Sequence, residues 1–535
     1  MNILPDTILT NNLSRSDLLS LPLPETFKDI SVAVHRNHAF EYVASVLNVF
    51  LAQSGLKAQF WYSPYDDSLS FENIPKVDLH LLWLDGTRYQ TSSTAEWLKD
   101  RIQALQSIAK APILIFWYGE KISFKDLPSN CILYNLKEEL SGLNGSIEDE
   151  RLTPFSGTRL SNQACLESAR ILGLISIPPL FFPRIKALAL DCDNTLYAGV
   201  LGEDGANKLK PYFSLQKKLQ ELKEEGVLLT LVSKNEEKDI VNLFNTRSDF
   251  PLGLEDFAAT AINWETKSKN IKQIAHKLNI HTDAILFIDD NLGELLEVAQ
   301  TLPEVRLLAA KSEEATLKGI KYYPLLHKHN IQTEDLLRNT DIKVNSKRKT
   351  LQKQLSPLEY RKKLGISLTI SLNIEDQIGR IFELLNKTNQ FIFTYLRPSE
   401  AKVKNFFKND SRVCITCSLR DSLSDSGLIA ILLGCRENET LTISELAVSC
   451  RALGRGIENE MLFTMMLSAA SHLSCQKVIL PICLGERNQP ALTWLKSNWP
   501  GQIFENYASS SINDLPSHLE GLAVSMQYPK ETNSC

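Results

Sequence analysis

Short apolar runs alternate with helically spaced apolar residues through the first third of the chain. The apolar runs of strand length are residues 30–34, 77–84 and 113–118, and the segments with helical spacing are residues 41–53 and 95–109. Alternating strand and helix patterns are typical of βαβ units, which build a parallel sheet. The pattern therefore predicts an α/β domain over residues 1–180. Because this part contains no glycine-rich phosphate loop and no nucleophile elbow, it predicts a fold but no chemistry.

Two further patterned regions follow. Strand and helix patterns alternate again from Ile185 to Ala310, and a polar, basic stretch then leads into a third region of mixed patterns. In that third region, three apolar runs at 413–416, 428–433 and 441–448 predict neighbouring antiparallel strands. The predicted organisation is an α/β domain at 1–180, a second α/β domain at 181–338, a linker at 339–356 and an α+β domain at 357–535.

Composition limits the class of protein. The chain has 535 residues, and at roughly 150 residues per domain this length suggests about three or four domains. Lys+Arg number 58 and Asp+Glu 63, and the formal net charge of -5 argues against nonspecific nucleic-acid binding. The first residues lack the order of a secretory signal, no apolar run is long enough to span a bilayer, and the 10 cysteines are scattered. We expect a cytoplasmic protein with neither nucleic acid nor membrane as partner.

The most informative stretch is the end of an apolar strand in the second domain. Residues 187–190 are apolar, and Asp191 and Asp193 follow with one residue between them. Open parallel sheets bind ligands at the carboxyl ends of their strands. Two neighbouring carboxylates repel each other, so both stay ionised most easily with a divalent cation between them. One carboxylate could then attack phosphorus while the other handles a proton.

Three later segments supply the other groups that phosphate chemistry requires. The apolar strand 227–232 leads into Ser233, whose hydroxyl could hold a phosphoryl oxygen. Lys267 precedes a helix, and its ammonium could neutralise the phosphate and the nucleophile together. Asp289 and Asp290 follow another apolar run and are further ligands for a hard metal ion.

These four segments resemble, in order, the four motifs of the haloacid-dehalogenase-like (HAD) superfamily. The resemblance implies a Rossmann-like fold for the second domain, with Asp191 as nucleophile and Asp193 as general acid/base. It implies that Thr195 and Ser233 bind phosphoryl oxygens and that Lys267 is the stabilising cation. The carboxylates that it implies as Mg²⁺ ligands are Asp191, Asp193, Asp289 and Asp290.

A narrower resemblance is to the FkbH-like family of HAD-type phosphatases (subfamily IIIC). The matching stretches are residues 191–205, 263–268, 287–291, 387–391 and 449–456. The chain departs from the family pattern where Tyr197-Ala198-Gly199 replaces Trp-Gly-Gly. Studied members dephosphorylate 1,3-bisphosphoglycerate and load the glyceryl group as a thioester on an acyl carrier protein for polyketide biosynthesis. The resemblance thus implies a small phosphorylated metabolite and a carrier protein as partners.

The third domain contains a short glycine motif at a strand–helix junction. Backbone N–H groups near Gly454 and Gly456 could approach a phosphate at the helix N-terminus, with Arg451 and Arg455 adding positive charge. The spacing resembles the pyrophosphate loop of GNAT acyltransferases, and Asn488 resembles a later cofactor contact of that fold. These residues imply a site for coenzyme A or for the phosphopantetheine arm of a carrier protein. A tight turn without a ligand is the alternative.

Two cysteines are candidates for a thiol that carries an acyl group. Cys450 lies at the strand–helix junction beside two arginines, which would stabilise a thiolate. Cys192 lies between the two motif aspartates, and strand alternation predicts that it points away from them into the core. We prefer Cys450, although a buried, inert thiol is the commoner role of either residue.

Three functions remain open from the sequence. The first is an Mg²⁺-dependent enzyme that dephosphorylates a phosphorylated acyl donor and passes the acyl group to a carrier thiol. The second is a simple phosphatase with a non-catalytic GNAT-like domain, and the third is a non-catalytic module that binds a carrier protein. For residues 1–180 we expect a parallel sheet of the SGNH or flavodoxin type without catalytic residues of its own, or a domain that docks partners.

Overall fold

The chain folds into two compact units. The computed structural model describes residues 4–24, 27–89, 94–124, 127–128, 130–151, 153–327, 344, 348, 351–388, 390–395, 398, 400–407, 409–485, 488–517 and 521–528. The N-terminal unit comprises Met1–Lys223, Val227–Ala275 and His281–Ile331, and the C-terminal unit comprises Glu224–Gly226, His276–Ile280 and Gln332–Cys535. Most of the predicted linker at 339–356 lies outside the described residues, and the boundaries at 180 and 338 stay predictions.

The N-terminal unit contains two parallel sheets, which confirms the α/β class. The strands of the first sheet are β1 (Lys28–Arg36), β2 (Leu56–Tyr65), β3 (Leu79–Asp85), β4 (Ile113–Tyr118) and β5 (Cys131–Asn135). All four pairings are parallel, in the order β2-β1-β3-β4-β5. This is the strand order of flavodoxin-like sheets. Strands β3 and β4 are buried throughout. The uninterrupted apolar run of β4 predicts this for a sheet covered on both faces, and β3 also buries His80 and Asp85.

The second sheet follows in the chain and has β6 at its centre. Its strands are β6 (Ala187–Leu190), β9 (Leu228–Ser233), β10 (Phe257–Ile262), β11 (Ile285–Asp289) and β12 (Arg306–Ala309). The order is β10-β9-β6-β11-β12, and every pairing is parallel. A two-stranded hairpin, β7 (Tyr197–Ala198) with β8 (Lys210–Pro211), follows β6.

Helices connect these strands. They are α1 (Asp6–Leu9), α2 (Arg15–Leu19), α3 (Glu41–Ala52), α4 (Thr94–Ile108), α5 (Leu136–Glu139), α6 (Thr153–Ser156), α7 (Asn162–Arg170), α8 (Leu201–Asp204), α9 (Phe213–Glu224), α10 (Glu237–Thr246), α11 (Lys267–Leu278), α12 (Leu292–Thr301) and α13 (Glu313–Tyr322). A π-helical turn, Ile171–Ser176, continues α7. Over the described residues, no helix combines the length and the apolar character needed to cross a membrane.

One hydrophobic cluster joins the two sheets of the N-terminal unit. It runs from α3 and the first sheet through α7 to the second sheet and α13. A buried polar network lies within the same region. The Arg170 guanidinium forms an ion pair with Glu167 and donates to the carbonyl of Thr10 at 2.7 Å and to the Tyr322 hydroxyl at 3.0 Å. The Tyr322 hydroxyl in turn donates to Glu167 at 2.8 Å, so the buried charges are paired and hydrogen-bonded.

The C-terminal unit is built on one mixed sheet. Its strands are β13 (Ser367–Leu372), β14 (Arg412–Arg420), β15 (Asp425–Glu437), β16 (Thr440–Val448), β17 (Lys477–Pro481), β18 (Gln502–Ile503), β19 (Tyr507–Ser511) and β20 (Ala523–Gln527), and its helices are α14 (Pro357–Leu364), α15 (Ile378–Lys387), α16 (Glu400–Phe407), α17 (Glu458–Leu473) and α18 (Gln489–Asn498). Strands β14, β15 and β16 are antiparallel neighbours, as their apolar runs predicted.

Strands β16 and β17 separate along their length. They pair in parallel only over residues 440–442 of β16, so the carboxyl-terminal half of β16 leaves its neighbour. An opening between two parallel strands exposes backbone donors and acceptors that another extended chain or a ligand has to satisfy. The predicted glycine motif follows directly after this half of β16.

Candidate active site

The first group of predicted site residues lies at the carboxyl edge of the second sheet. Strands β9, β6 and β11 are consecutive neighbours, and Ser233, Asp191 and Asp289 stand at or just beyond their last residues. The backbone N–H of Asp191 still donates to the carbonyl of Ile288 at 3.0 Å, so the strand pairing holds Asp191 beside β11. The sheet topology thereby brings together three motifs that lie 42 and 56 residues apart in sequence.

Lys267 is the buried cation of this edge. Helix α11 begins at Lys267, whose ammonium donates to Asp191 Oδ1 at 2.7 Å, Asp289 Oδ2 at 3.0 Å and the carbonyl of Val232 at 2.8 Å. The side chain is only 2% exposed. Burial alone would lower the pKa of Lys267, but the charges of Asp191 and Asp289 raise it above its ordinary value. The ammonium therefore stays charged and satisfied between two carboxylates.

Three carboxylates converge beside this lysine. Oxygens of Asp191, Asp289 and Asp290 lie within 4.8 Å of one another. Burial, and next the charge of Asp191, raises the pKa of Asp289 to about 6. Three carboxylates against one ammonium leave two negative charges, which a divalent cation would neutralise. Carboxylate oxygens are the donors that Mg²⁺ prefers, so these three residues fit the implied metal.

Asp193 has a different environment from the other motif aspartate. Its Oδ1 accepts hydrogen bonds from the Tyr197 hydroxyl at 2.7 Å and from the Leu201 backbone N–H at 2.9 Å, and its Oδ2 accepts from Asn235 Nδ2 at 2.9 Å. The three carboxylates that fit a metal ion belong to Asp191, Asp289 and Asp290. The role of the Asp193 side chain as a metal ligand stays a prediction. Three neutral donors instead hold this carboxylate in one orientation.

Tyr197 and Asn235 are site residues that the sequence reasoning did not assign. In the sequence, Tyr197 stands out only as a departure from a family pattern, and Asn235 carries no prediction. The signal for Asn235 was its place two residues after Ser233, because the amide bonds the Ser233 hydroxyl at 3.2 Å as well as Asp193. For Tyr197 no local signal existed, since its contact depends on the hairpin that follows β6.

The remaining predicted residues of this edge are buried. Ser233 is 1% exposed and accepts the hydrogen bond from Asn235. Thr195 is fully buried, and among the described residues its Oγ1 has no hydrogen-bond partner. Cys192 is also fully buried, and burial raises the pKa of its thiol. The prediction that Cys192 turns into the core is confirmed, and a thiol in this environment is a poor nucleophile.

In the C-terminal unit, the glycine motif forms a turn rather than the first turn of a helix. Gly454 and Gly456 have φ of 78° and 68°, a left-handed conformation that favours glycine. Helix α17 begins only at Glu458, whose carboxylate accepts hydrogen bonds from the backbone N–H groups of Gly454 and Ile457. The chain thus places its own anion where the glycine motif predicted a phosphate.

The other three residues of the predicted cofactor site have partners within the fold. Arg451 is buried and donates to the carbonyl of Leu428 at 3.3 Å, and Arg455 is buried beside Asp421 at 3.5 Å. Asn488 is fully buried and donates to the carbonyls of Ile392 and Cys483. These side chains stabilise the domain in the described conformation.

A short, bent segment of the chain, residues 391–394, occupies the opening between β16 and β17. Ile392 forms an antiparallel bridge with Ala447, the Val448 N–H donates to the Phe391 carbonyl at 2.9 Å, and the Cys483 N–H donates to the Phe393 carbonyl at 2.7 Å. We call this segment the cleft strand. It satisfies backbone groups on both sides of the opening.

The Glu445 carboxylate holds the cleft strand in place by hydrogen bonds. This side chain is fully buried, and its carboxylate accepts from the Thr394 hydroxyl at 2.8 Å and from the backbone N–H groups of Phe393, Thr394 and Leu446. Burial raises the pKa of Glu445 despite these donors. This buried carboxylate stabilises the cleft strand, because displacing the segment would remove three of its four donors.

A cavity of about 510 Å³ adjoins the glycine turn. Its lining includes Leu453 and Gly454 of the turn, Glu458, and the aromatic side chains of Phe391 and Trp494. None of the described lining residues is a cysteine. Cys450 is partly buried, and the cavity does not present its thiol to a ligand.

The sequence matches no family model and no curated protein. Among solved structures, the N-terminal part of the protein BF1531 from Bacteroides fragilis, described as containing a phosphatase domain complexed with Mg, is similar over 61% of this chain and 99% of its own, at 18% identity and a TM-score of 0.45. Spermidine N-acetyltransferase SpeG from Vibrio cholerae (N152L mutant) is similar over 28% of this chain and 95% of its own, at 11% identity and a TM-score of 0.21. Aminoglycoside acetyltransferase AAC(6')-Ib in complex with coenzyme A is similar over 28% of this chain and 96% of its own, at 13% identity and a TM-score of 0.22. These similarities are distant and assign the chain to no family.

Proposed function

We propose that the protein is an Mg²⁺-dependent phosphatase that forms a phosphorylated aspartate. One observation carries this proposal: the buried Lys267 bridges Asp191 and Asp289 beside a third carboxylate, Asp290. A purely structural edge of a sheet has no need for two buried carboxylates on one buried ammonium, because each buried charge costs free energy. The same arrangement suits a phosphoryl group, whose negative charge has to be offset next to a negative nucleophile.

The residues divide the chemistry between them. Asp191 attacks phosphorus and the P–O bond to the leaving group breaks, while Asp193 donates a proton to the leaving oxygen. Asp193 then takes a proton from the water that hydrolyses the phosphorylated Asp191. Asp191, Asp289 and Asp290 would hold Mg²⁺, which would supply positive charge to offset that of the phosphoryl group. Lys267 contributes a second positive charge that is present before any ligand binds.

The proposed substrate is a small phosphorylated acyl donor, by resemblance 1,3-bisphosphoglycerate. Asp191 takes the ester phosphate from carbon 3 of this donor, and the acyl phosphate at carbon 1 stays intact. Its acyl group is transferred to the phosphopantetheine thiol of an acyl carrier protein, directly or through Cys450. An acyl phosphate is an activated acyl donor, and attack by a thiolate forms the thioester as the carboxyl C–O bond to phosphate breaks. This finer proposal rests on the motif resemblance of the sequence and not on the geometry of the C-terminal unit.

The C-terminal unit also favours a second candidate, a phosphatase whose GNAT-like domain does not catalyse. The cleft strand fills the opening beside β16, and Glu458 takes the N–H groups of the glycine turn. A thioester arm would have to displace both. In this candidate the protein releases phosphate, and the C-terminal unit only binds a partner.

One experiment separates the candidates. The protein is incubated with Mg²⁺, 1,3-bisphosphoglycerate and a holo acyl carrier protein, phosphate is assayed, and both proteins are weighed by mass spectrometry. A glyceryl adduct on the carrier supports transfer, and phosphate release without an adduct supports the simple phosphatase. Cys450→Ala is compared with Cys483→Ala, which removes an exposed cysteine. Loss of the adduct in the first variant alone would identify Cys450 as the acyl carrier.

The phosphatase itself has a direct test. Asp191→Asn should reduce phosphate release to background with the fold retained by circular dichroism, because an amide is not a nucleophile. Asp249→Asn is the control, since this carboxylate pairs with Arg247 at an exposed position and should not affect turnover. Undiminished turnover of Asp191→Asn would refute the assignment of the nucleophile.

A further inference from the structure

The hairpin that follows β6 returns the chain to the second motif aspartate. After Asp193 the backbone turns through Asn194, which has a φ of 51°, and Tyr197 then lies beside Asp193 in a parallel bridge. Tyr197 pairs with Pro211 across the hairpin, and its ring packs at 5.8 Å from the ring of Phe250. The residue is fully buried. Packing therefore fixes where its hydroxyl points.

The three donors around Asp193 are distributed unevenly between its two oxygens. Oδ1 accepts from the Tyr197 hydroxyl and the Leu201 N–H, whereas Oδ2 accepts only from Asn235. Each carboxylate oxygen offers about two lone-pair sites. Oδ1 is thus saturated, and Oδ2 retains the capacity to hold a proton.

We propose that Tyr197 is a positioning residue that saturates Oδ1 of Asp193 and thereby directs Oδ2 at the leaving oxygen of the substrate. The inference rests on the proposed phosphatase function and adds a residue and an atom to it. The proton on Oδ2 passes to the leaving oxygen as the P–O bond breaks, and the electrons of that bond go to the same oxygen. The phenolic proton of Tyr197 stays on Tyr197, because the hydroxyl only donates a hydrogen bond.

A consequence distinguishes this role from simple packing. Proton donation matters most when the leaving group is a poor one, and it matters little when the leaving group is stable as an anion. Phenolate is a much poorer leaving group than 4-nitrophenolate. Loss of the Tyr197 hydroxyl should therefore slow hydrolysis of phenyl phosphate much more than hydrolysis of 4-nitrophenyl phosphate.

The test compares Tyr197→Phe with the wild-type protein on these two esters in Mg²⁺. We expect kcat/KM on phenyl phosphate, which reports the steps up to the departure of the leaving group, to fall about tenfold or more, since the hydrogen bond that orients the general acid is lost. On 4-nitrophenyl phosphate we expect kcat/KM to change by less than about threefold. Tyr323→Phe is the matched control, because Tyr323 is a buried tyrosine whose hydroxyl donates to the backbone carbonyl of Leu307. Equal losses on both esters, or none, would overturn the proposal.

A double variant distinguishes a role of Tyr197 through Asp193 from a general loss of activity caused by misfolding. If Tyr197 acts only through Asp193, then Tyr197→Phe added to Asp193→Asn should cause no further loss on phenyl phosphate. A further loss of about tenfold in the double variant would mean that Tyr197 acts independently and would overturn the proposal. If the wild-type protein hydrolyses neither ester, the proposed function fails, and this inference falls with it.

Discussion

Replacement of Lys267 by methionine is the sharpest test of the charge balance at the candidate site. Methionine fills a similar volume but has no charge, so Lys267→Met leaves Asp191 and Asp289 without the ammonium that lies 2.7 and 3.0 Å from them. Both carboxylates are buried. The variant should therefore lose catalytic activity and also free energy of unfolding.

The size of the loss follows from the burial of the three groups. Breaking a buried ion pair by removal of one partner costs about 3–5 kcal/mol. We expect the lower end, about 3 kcal/mol, because Asp289 already has a pKa raised to about 6 by burial and by Asp191 and can take up a proton. Mg²⁺ should restore part of the loss. A metal at a concentration 100 times its Kd stabilises the folded state by about 2.7 kcal/mol.

The assay is urea unfolding of the wild-type and variant proteins, in EDTA and in Mg²⁺, followed by circular dichroism. Lys267→Met should gain more stability from Mg²⁺ than the wild-type protein gains, because the metal replaces a missing charge. Lys269→Met is the control, since Lys269 is 58% exposed and pairs with Glu265 at the surface, and its loss should be within about 0.5 kcal/mol. A Lys267→Met protein as stable as wild type in EDTA would refute the charge argument.

Two further predictions concern other parts of the chain. Burial, and next the charge of Arg88, lowers the pKa of His38 to about 3, so between pH 6.5 and pH 3 the unfolded state binds more protons than the folded state. The stabilisation from neutral His38 is fully present above pH 6.5, and the free energy of unfolding falls by about 2 kcal/mol by pH 5. In urea titrations, the His38→Gln variant should lack this part of the pH dependence. Coenzyme A should show no saturable binding below about 1 mM in calorimetry, because the cleft strand and Glu458 take the backbone groups that its arm and pyrophosphate would require. A micromolar Kd would show that the cleft strand is readily displaced.

Much of the fold could be predicted because the spacing of apolar residues within each element indicates whether it is a strand or a helix. The apolar run 113–118 became β4, and the helical spacing over 41–53 became α3, Glu41–Ala52. The candidate phosphate site could be located for the same reason. Each motif stands at the end of an apolar strand or the start of a helix, and parallel strands deliver their carboxyl ends to one edge.

What could not be predicted depends on the path that the backbone takes through turns and loops. The hydroxyl of Tyr197 reaches Asp193 only because a hairpin folds the chain back. The sequence around Gly454 indicates a turn that exposes N–H groups, but it does not say that Glu458 supplies the acceptor. The same is true of the cleft strand, whose partners Val448 and Cys483 are 57 and 90 residues away from it in sequence. Local patterns predict which donors exist, and the tertiary fold decides what satisfies them.

The two candidate sites therefore differ in readiness for a ligand. At the phosphate site, Asp290 is exposed, and the Lys267 ammonium pairs with Asp191 and Asp289, so negative charge remains for a metal ion to neutralise. In the C-terminal unit, a ligand in the cleft has to displace the cleft strand. This segment gives Glu445 three of its four hydrogen bonds, and the fourth comes from the Leu446 N–H. Acyl transfer through that cleft thus requires a conformational change that phosphate release does not require. Under saturating donor, phosphate should accumulate without a carrier protein present, and a strict dependence of phosphate release on the carrier would contradict this order.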